Sequence, residues 1–328
     1  MLRRIFLLII LPSILLTGCV IDAPPEEVVI NLTLNITYNS DTPQFRTIEY
    51  QSKASSGYQA RYVVALYRYA SDKPESKPEY VFVYQESQMQ DRSYTVKIAP
   101  DNYKVLVWSD YVDGETAFYQ SPAFDAKASE DPYFEVSLTN DTYTGNSQWR
   151  EAFYGAQEAD LSAYTANPAQ HTIDIVLERP HARFNFVATD KEDFIAYWVT
   201  KGTKSLDYTD LGVKITYPEY LPCTFNLLKD RPVDARTGMS FVSQATMLED
   251  GTLDLGYDWV FANADQTIVI VSLSFYDPDG QLISAIPNIE VPLCRGRNTT
   301  IRGALLTSGI DTGVAIEPGY GGRFVVPL

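Results

Sequence analysis

The strict two-residue period of "VVINLTLNITY" narrows the folds open to this chain. Val28, Ile30, Leu32, Leu34, Ile36 and Tyr38 fall on one side of an extended backbone, and Asn31, Thr33, Asn35 and Thr37 on the other. Successive side chains of a strand point to opposite faces, so the pattern suits an antiparallel sheet with one buried and one wet face. The period returns in "HTIDIVLER" through Ile173, Ile175 and Leu177, in "ARFNFVA" through Phe184 and Phe186, and in "TIVIVSLSFY" through Val269, Val271, Leu273 and Phe275. Runs such as "YVVALYRY", "YVFVYQ", "YTVKIA" and "YKVLVW" have the β-branched and aromatic composition of strands. "DPDG" at Asp277 to Gly280 joins two apolar runs as a hairpin, and "APDNY" at Ala99 to Tyr103 separates two more. Many short strands with turns between them predict an all-β protein of sandwiches or barrels.

Helix is scarce. The best candidate is "TDKEDFIAYW", where Thr189 and Glu192 stand at capping-box spacing ahead of Phe194, Ile195 and Trp198; a second short helix is expected in "WREAFYG". The polar stretch from Thr139 to Gln170 is long for a connection inside a compact domain, which calls for a function or some local helix. The 328 residues exceed what one core usually organises, and two domains are expected, 19–179 and 180–328, divided where one apolar set of strands closes and another opens.

The amino terminus reads as an export signal. Arg3 and Arg4 precede an apolar run from Ile5 to Leu16 that Pro12 interrupts. A membrane-crossing helix needs about 20 apolar residues, so this segment is too short to span. It ends in Leu16-Thr17-Gly18-Cys19, which resembles the lipobox of bacterial lipoproteins. That resemblance makes residues 1–18 a signal peptide and Cys19 the lipidated first residue. Two or more acyl chains hold a protein stably, at about 0.8 kcal/mol per buried methylene, so Cys19 is expected to fix the chain to outer-membrane lipid. Val20 follows in place of the Asp that favours inner-membrane retention in some bacteria, which points outward.

The formal net charge is −16, and losing the leader with its two arginines makes it more negative. Such a surface repels phosphate backbones and anionic lipid heads, so nucleic acid is an unsuitable partner and attachment falls to the lipid. Beyond Cys19 the cysteines are Cys223 and Cys294. An exported protein permits a disulfide between them, worth on the order of 4 kcal/mol in the chain-entropy model. Their apolar neighbours in "LPCTFNLL" and "VPLCRG" equally suit buried free thiols.

No catalytic constellation stands out. His171 and His181 are the two histidines, and neither HExxH nor CxxC spacing occurs, so no metal site is expected and both read as surface or strand residues. There is no GxSxG elbow and no glycine-rich phosphate turn. Cys223 has no nearby His to activate it. Asp277 and Asp279 read as hairpin residues before calcium ligands. The chain is therefore expected to be no enzyme and to need no cofactor. With 23 Tyr and 4 Trp, including Trp108 and Trp149, aromatic platforms that stack on sugar rings support an alternative reading as a glycan-binding lipoprotein of a polysaccharide-uptake system.

The lipobox, the all-β body and the segments "YKVLVWSDY", "REAFYG", "ERPHARFNFVATD", "VPLCRGRNTTIRGALLT" and "GVAIEPGYGGRFVVPL" resemble the fimbrillin-related lipoproteins of Bacteroidales, which include fimbrial subunits and anchors. The resemblance implies two tandem transthyretin-like, Greek-key sandwiches and partner fimbrial subunits bound by strand addition. In that family an Arg-specific protease removes a first strand and a neighbour's strand refills the groove. Here Val28 to Tyr38 is the first strand, and Arg46 in "NSDTPQFRT" is the candidate cleavage residue. The carboxyl end stops at "GRFVVPL" with no long tail to donate, a departure that favours an anchor or accessory subunit at the outer membrane over a repeating shaft subunit.

Overall fold

The computed structural model describes residues 28–39, 58–70, 73–74, 77–113, 121, 123–126, 134–139, 143–200, 208–307 and 323–327. In chain order its strands are β1 (Ile30–Tyr38), β2 (Tyr58–Ala70), β3 (Lys73–Pro74), β4 (Tyr80–Glu86), β5 (Arg92–Ile98), β6 (Asn102–Asp113), β7 (Phe124–Ala126), β8 (Glu135–Leu138), β9 (Phe153–Asp160) and β10 (Ala169–Leu177). There follow β11 (His181–Ala188), β12 (Gly212–Asn226), β13 (Arg231–Gln244), β14 (Thr246–Met247), β15 (Leu253–Phe261), β16 (Gln266–Tyr276), β17 (Leu282–Cys294), β18 (Asn298–Gly303) and β19 (Arg323–Pro327). The α-helix among the described residues is α1 (Lys191–Thr200). The architecture is the expected one, all-β sandwiches with little helix.

Two sheets enclose the first core. One has the order β10-β1-β5; the other runs β3-β2-β6-β9, with β4 also pairing β2. Ile30, Leu32, Leu34 and Ile36 of β1 meet Tyr62, Val64 and Leu66 of β2 and Val105 and Val107 of β6 between them. The second core lies between a sheet of order β17-β16-β12-β8-β7, with β13 on β12, and a sheet of order β14-β15-β11-β18-β19. Phe184, Phe186, Ile215, Leu255 and Leu273 belong to it.

The two cores share a wall. Val63, Ala65, Leu106 and Trp108 lie on the far face of β2 and β6 and belong to the second core. A sheet buried on both faces needs apolar residues at consecutive positions, which is why "YVVALY" lacks alternation. β7 and β8 precede β9 and β10 in the chain yet extend the sheet of the second core, Thr224 of β12 opposing Ser137 of β8. β12 serves β16 with one end and β8 with the other because register shifts between Tyr217 and Tyr220 and between Pro222 and Thr224 bend it. At the bulge of β15, Gly256 has φ +137°, and a Cβ there would lie 2.7 Å from Ser243 Oγ.

Two local expectations shift. The helix forms, but its cap is Asp190: the Asp190 carbonyl accepts Phe194 N–H at 3.0 Å, while the Asp190 carboxylate accepts Leu306 N, Thr307 N and Thr307 Oγ1 and ties down the end of the β18 segment. "WREAFYG" is no α-helix; a single 3-10 turn at Gln148–Arg150 gives way to β9. The "DPDG" hairpin is present between β16 and β17, with Gly280 N–H donating to Asp277 O at 2.9 Å and Gly280 at φ +77°.

Candidate functional site: the seat of the first strand

β1 sits in the middle of its sheet. It pairs in parallel with β10, Leu34 opposite Ile173 and Ile36 opposite Ile175, and antiparallel with β5, Leu32 opposite Val96 and Ile30 opposite Ile98. Ile30, Leu32, Leu34 and Ile36 are each 0% exposed. At about 1.5–3 kcal/mol for each fully buried aliphatic chain, this face supplies most of the strand's attachment.

The outward face is a polar ladder. Thr33 Oγ1 lies 3.1 Å from Thr95 Oγ1, Asn35 Nδ2 donates to Asp174 Oδ1 at 2.9 Å, and Ser93 Oγ donates to Asn35 Oδ1 at 2.9 Å. Such solvated pairs set register more than they add strength.

The carboxyl end of β1 is latched. Tyr38 N–H donates to Asp91 Oδ1 at 3.0 Å, and Asn39 N–H to Leu177 O at 3.0 Å. The Tyr38 hydroxyl donates to Tyr62 Oη at 2.9 Å and lies 3.0 Å from Ser109 Oγ. Tyr62 in turn donates to Gln90 O at 2.8 Å. Burial, first, and the neighbouring Tyr62 hold the Tyr38 phenol far above its ordinary range, so it stays a neutral donor. The sequence hinted at this latch only through an aromatic residue closing the alternating run.

Chemically the arrangement is a strand receptor. Without β1, the facing edges of β5 and β10 would present unpaired N–H and C=O groups above an apolar floor, the conditions for adding an extended segment from elsewhere.

The other sequence candidates are dispersed. Cys19 and Arg46 lie outside the described residues. Cys223 on β12 is buried and Cys294 at the end of β17 is half-buried; both are free thiols. Burial pushes the Cys223 thiol up, which makes it inert. Trp108 is 0% exposed and packs edge-on to Phe124, so it offers no platform to a sugar. Trp149 is half-buried and stacks on Tyr58 at 4.3 Å. His171 Nδ1 lies 2.5 Å from the Tyr164 hydroxyl. Asp277 Oδ1 accepts Gln281 N–H at 2.7 Å within its turn. Among the described residues no group of three or more His, Cys, Asp or Glu stands close enough to hold a metal ion, and no helix is long and apolar enough to cross a membrane.

A family model described as "Family of unknown function (DUF6562)" matches residues 23–325. No curated protein matches the chain. Among the solved structures similar to it are Bacteroidales adhesin candidates and fimbrial proteins. A candidate adhesin from Bacteroides ovatus has 12% identity and a TM-score of 0.43, over 91% of this chain and 89% of that one. The fimbrial anchor protein Mfa2 from Porphyromonas gingivalis has 9% identity and a TM-score of 0.41, over 79% and 82%. A fimbrial assembly protein from Parabacteroides distasonis has 11% identity and a TM-score of 0.33, over 84% and 91%.

Proposed function

The chain belongs to the DUF6562 family, and from that premise we propose that it is a non-enzymatic surface lipoprotein, tethered to the outer membrane through Cys19 and acting as a fimbrial anchor or accessory adhesion subunit. The lipobox Leu16 to Cys19 behind an Arg-plus-apolar leader supports the tether, as does a family match that starts at residue 23, just beyond it. The fimbrial reading rests on the resemblance carried by "RPHARF" and the segment from Pro292 to Thr307.

The observation that carries the anchor role is the position of β1. The first described strand after Cys19 is a central strand held by ladders on both sides. Tension on the lipid enters the body through that strand along its length and loads many hydrogen bonds together. Kept in place, β1 joins tether to body; cut away at Arg46, it would leave a groove for a partner's strand. Retention of β1 suits an anchor, whose fimbrial-subunit partners would then add strands at free sheet edges and not in the filled seat of β1.

Membrane fractionation of Cys19→Ala, with intact-mass analysis of detergent-extracted wild type, tests the tether. The variant is expected in the soluble fraction and the wild type is expected to carry an acyl adduct; a wild type without acyl mass or a variant still on the membrane overturns it. Deleting the gene tests the role, with fimbriae released to the medium as the expected result.

One observation favours the glycan-binding alternative. Trp149 stacks on Tyr58 and meets Tyr111 edge-on at 5.1 Å, all three rings half-buried at one end of the first sandwich. Loss of polysaccharide retention in Trp149→Ala, with the fold intact, would shift the assignment toward it.

A further inference from the structure

Where the chain passes from β10 to β11, His181 is 1% exposed. Its ring lies nearly parallel to that of Phe261, with centroids 4.5 Å apart, and Phe124, Trp259 and Trp108 stand at 5.5, 6.3 and 6.5 Å. Those rings come from β15, β7 and β6. The imidazole therefore sits in an aromatic box built by segments from both sides of the crossing, against the wall that the two cores share.

Neither ring nitrogen has a hydrogen-bond partner. A buried unpaired imidazole is costly, and a phenyl ring would fill an aromatic box more cheaply. The charges acting on it are cationic. Arg150, from the 3-10 turn, is ion-paired with Asp258 of β15, and Arg179, from the crossing itself, with Glu151. From β6 and β7 come the rings of Trp108 and Phe124. The main chain at this point ties elements together: Gly296 N–H, from the turn before β18, donates to His181 O at 2.8 Å, and Ala262 N–H, after β15, donates to Pro180 O at 3.1 Å.

We propose that His181 is an acid-sensitive joint, holding the two cores together while its imidazole is neutral and opening when the imidazole takes a proton. Neither ring nitrogen meets an acceptor that could hold an imidazolium, and a third positive charge beside the Arg150 and Arg179 guanidiniums is repelled. Burial, first, and then Arg150 and Arg179 hold the imidazole well below its ordinary range. The open or unfolded chain binds a proton near pH 6.5, whereas the closed one does not. The stabilisation is therefore complete above about pH 6.5 and declines as pH falls toward the depressed folded value, by up to about tenfold in the closed-to-open ratio per pH unit.

The chain has two histidines, so the test is direct. In ¹⁵N-histidine NMR of the full chain, H171Q assigns the pair by elimination. His181 is expected to stay neutral until the joint opens; titration near pH 6.5 in the closed protein overturns the proposal. Urea unfolding between pH 7.5 and 5.5 should show the folding equilibrium constant of wild type and H171Q falling roughly tenfold further than that of H181F; an equal fall in H181F overturns it. Should H181F fail to fold, the NMR measurement on histidine-181-containing protein still decides. Hydrogen exchange separates a joint from global acid unfolding. The amides of Ala262 and Gly296 should lose protection below pH 6.5 while those of β1 keep theirs, and loss everywhere at once or nowhere rejects the joint.

Discussion

Arg61 and Asp110 stand directly opposite each other on β2 and β6 and form a two-point ion pair, Nε to Oδ1 at 2.8 Å and Nη2 to Oδ2 at 2.6 Å, with both side chains fully buried. They share the face of Val63 and Trp108, the one turned toward the second core. Removing one partner leaves an uncompensated buried charge, so Arg61→Met or Asp110→Leu alone is expected to cost about 3–5 kcal/mol. Replacing both should recover most of that, because the desolvation penalty disappears with the pair. Urea denaturation of the two single variants and the double variant reads the coupling directly; additive losses would show that the pair does not act as a unit.

The β1 seat divides its energy unevenly between faces. Leu34 is 0% exposed, and Leu34→Ala is expected to cost about 2–5 kcal/mol. Thr33 on the wet face has the Thr95 hydroxyl as its side-chain partner, and Thr33→Ala should cost less than about 1 kcal/mol. Chemical denaturation of the two variants checks the contrast. A large Thr33 effect would mean that the ladder, and not the apolar face, holds the strand.

That strand also shows what was legible in the sequence. Alternation assigned each residue of β1 to a face, because period two is a local property. It gave no information about partners: β10 lies far along the chain and pairs in parallel, where alternation had suggested an antiparallel sheet alone. The shared wall was hidden for a related reason. "YVVALYRY" reads as a strand, but its apolar run says only that both faces are covered, not that a second core covers one of them. The full burial of His181, expected as a surface or strand residue, is equally hidden, because burial at a junction comes from distant elements. Capping-box spacing located α1, but the carbonyl that accepts Phe194 N–H is that of Asp190, whose carboxylate is taken up by Leu306 N–H and Thr307 N–H, contacts from far along the chain that local spacing cannot show.

Cys223 and Cys294 differ enough in environment for reagents to tell them apart. Cys223 is 1% exposed and its thiol is pushed up by burial, whereas Cys294 is half-buried at the end of β17. A thiol reagent at pH 8, with peptides read by mass spectrometry, is expected to label Cys294 first and Cys223 only on unfolding. Electrophoretic mobility should not change on reduction, as both thiols are free. Recovery of a disulfide-linked peptide joining them would contradict the structure.

Asp258 on β15 is fully buried and gathers several donors. Its carboxylate accepts from Arg150 and from the Tyr143 hydroxyl, from the Tyr217 hydroxyl at 2.6 Å and from Trp259 N–H at 2.8 Å. Burial, first, raises the Asp258 carboxyl above its ordinary range, while Arg150, the two tyrosine hydroxyls and Trp259 N–H pull it back down; Asp258 in turn holds Arg150 protonated against its own burial. Tyr217→Phe removes one of several donors and leaves the ion pair intact, at an expected cost of about 1–2 kcal/mol. Asp258→Asn strips Arg150 of its counter-charge and should cost about 3–5 kcal/mol. Because the pair is buried, moderate salt should leave both losses nearly unchanged. Thermal unfolding in low and moderate salt measures them, and a strongly salt-dependent loss in Asp258→Asn would show that water reaches the pair.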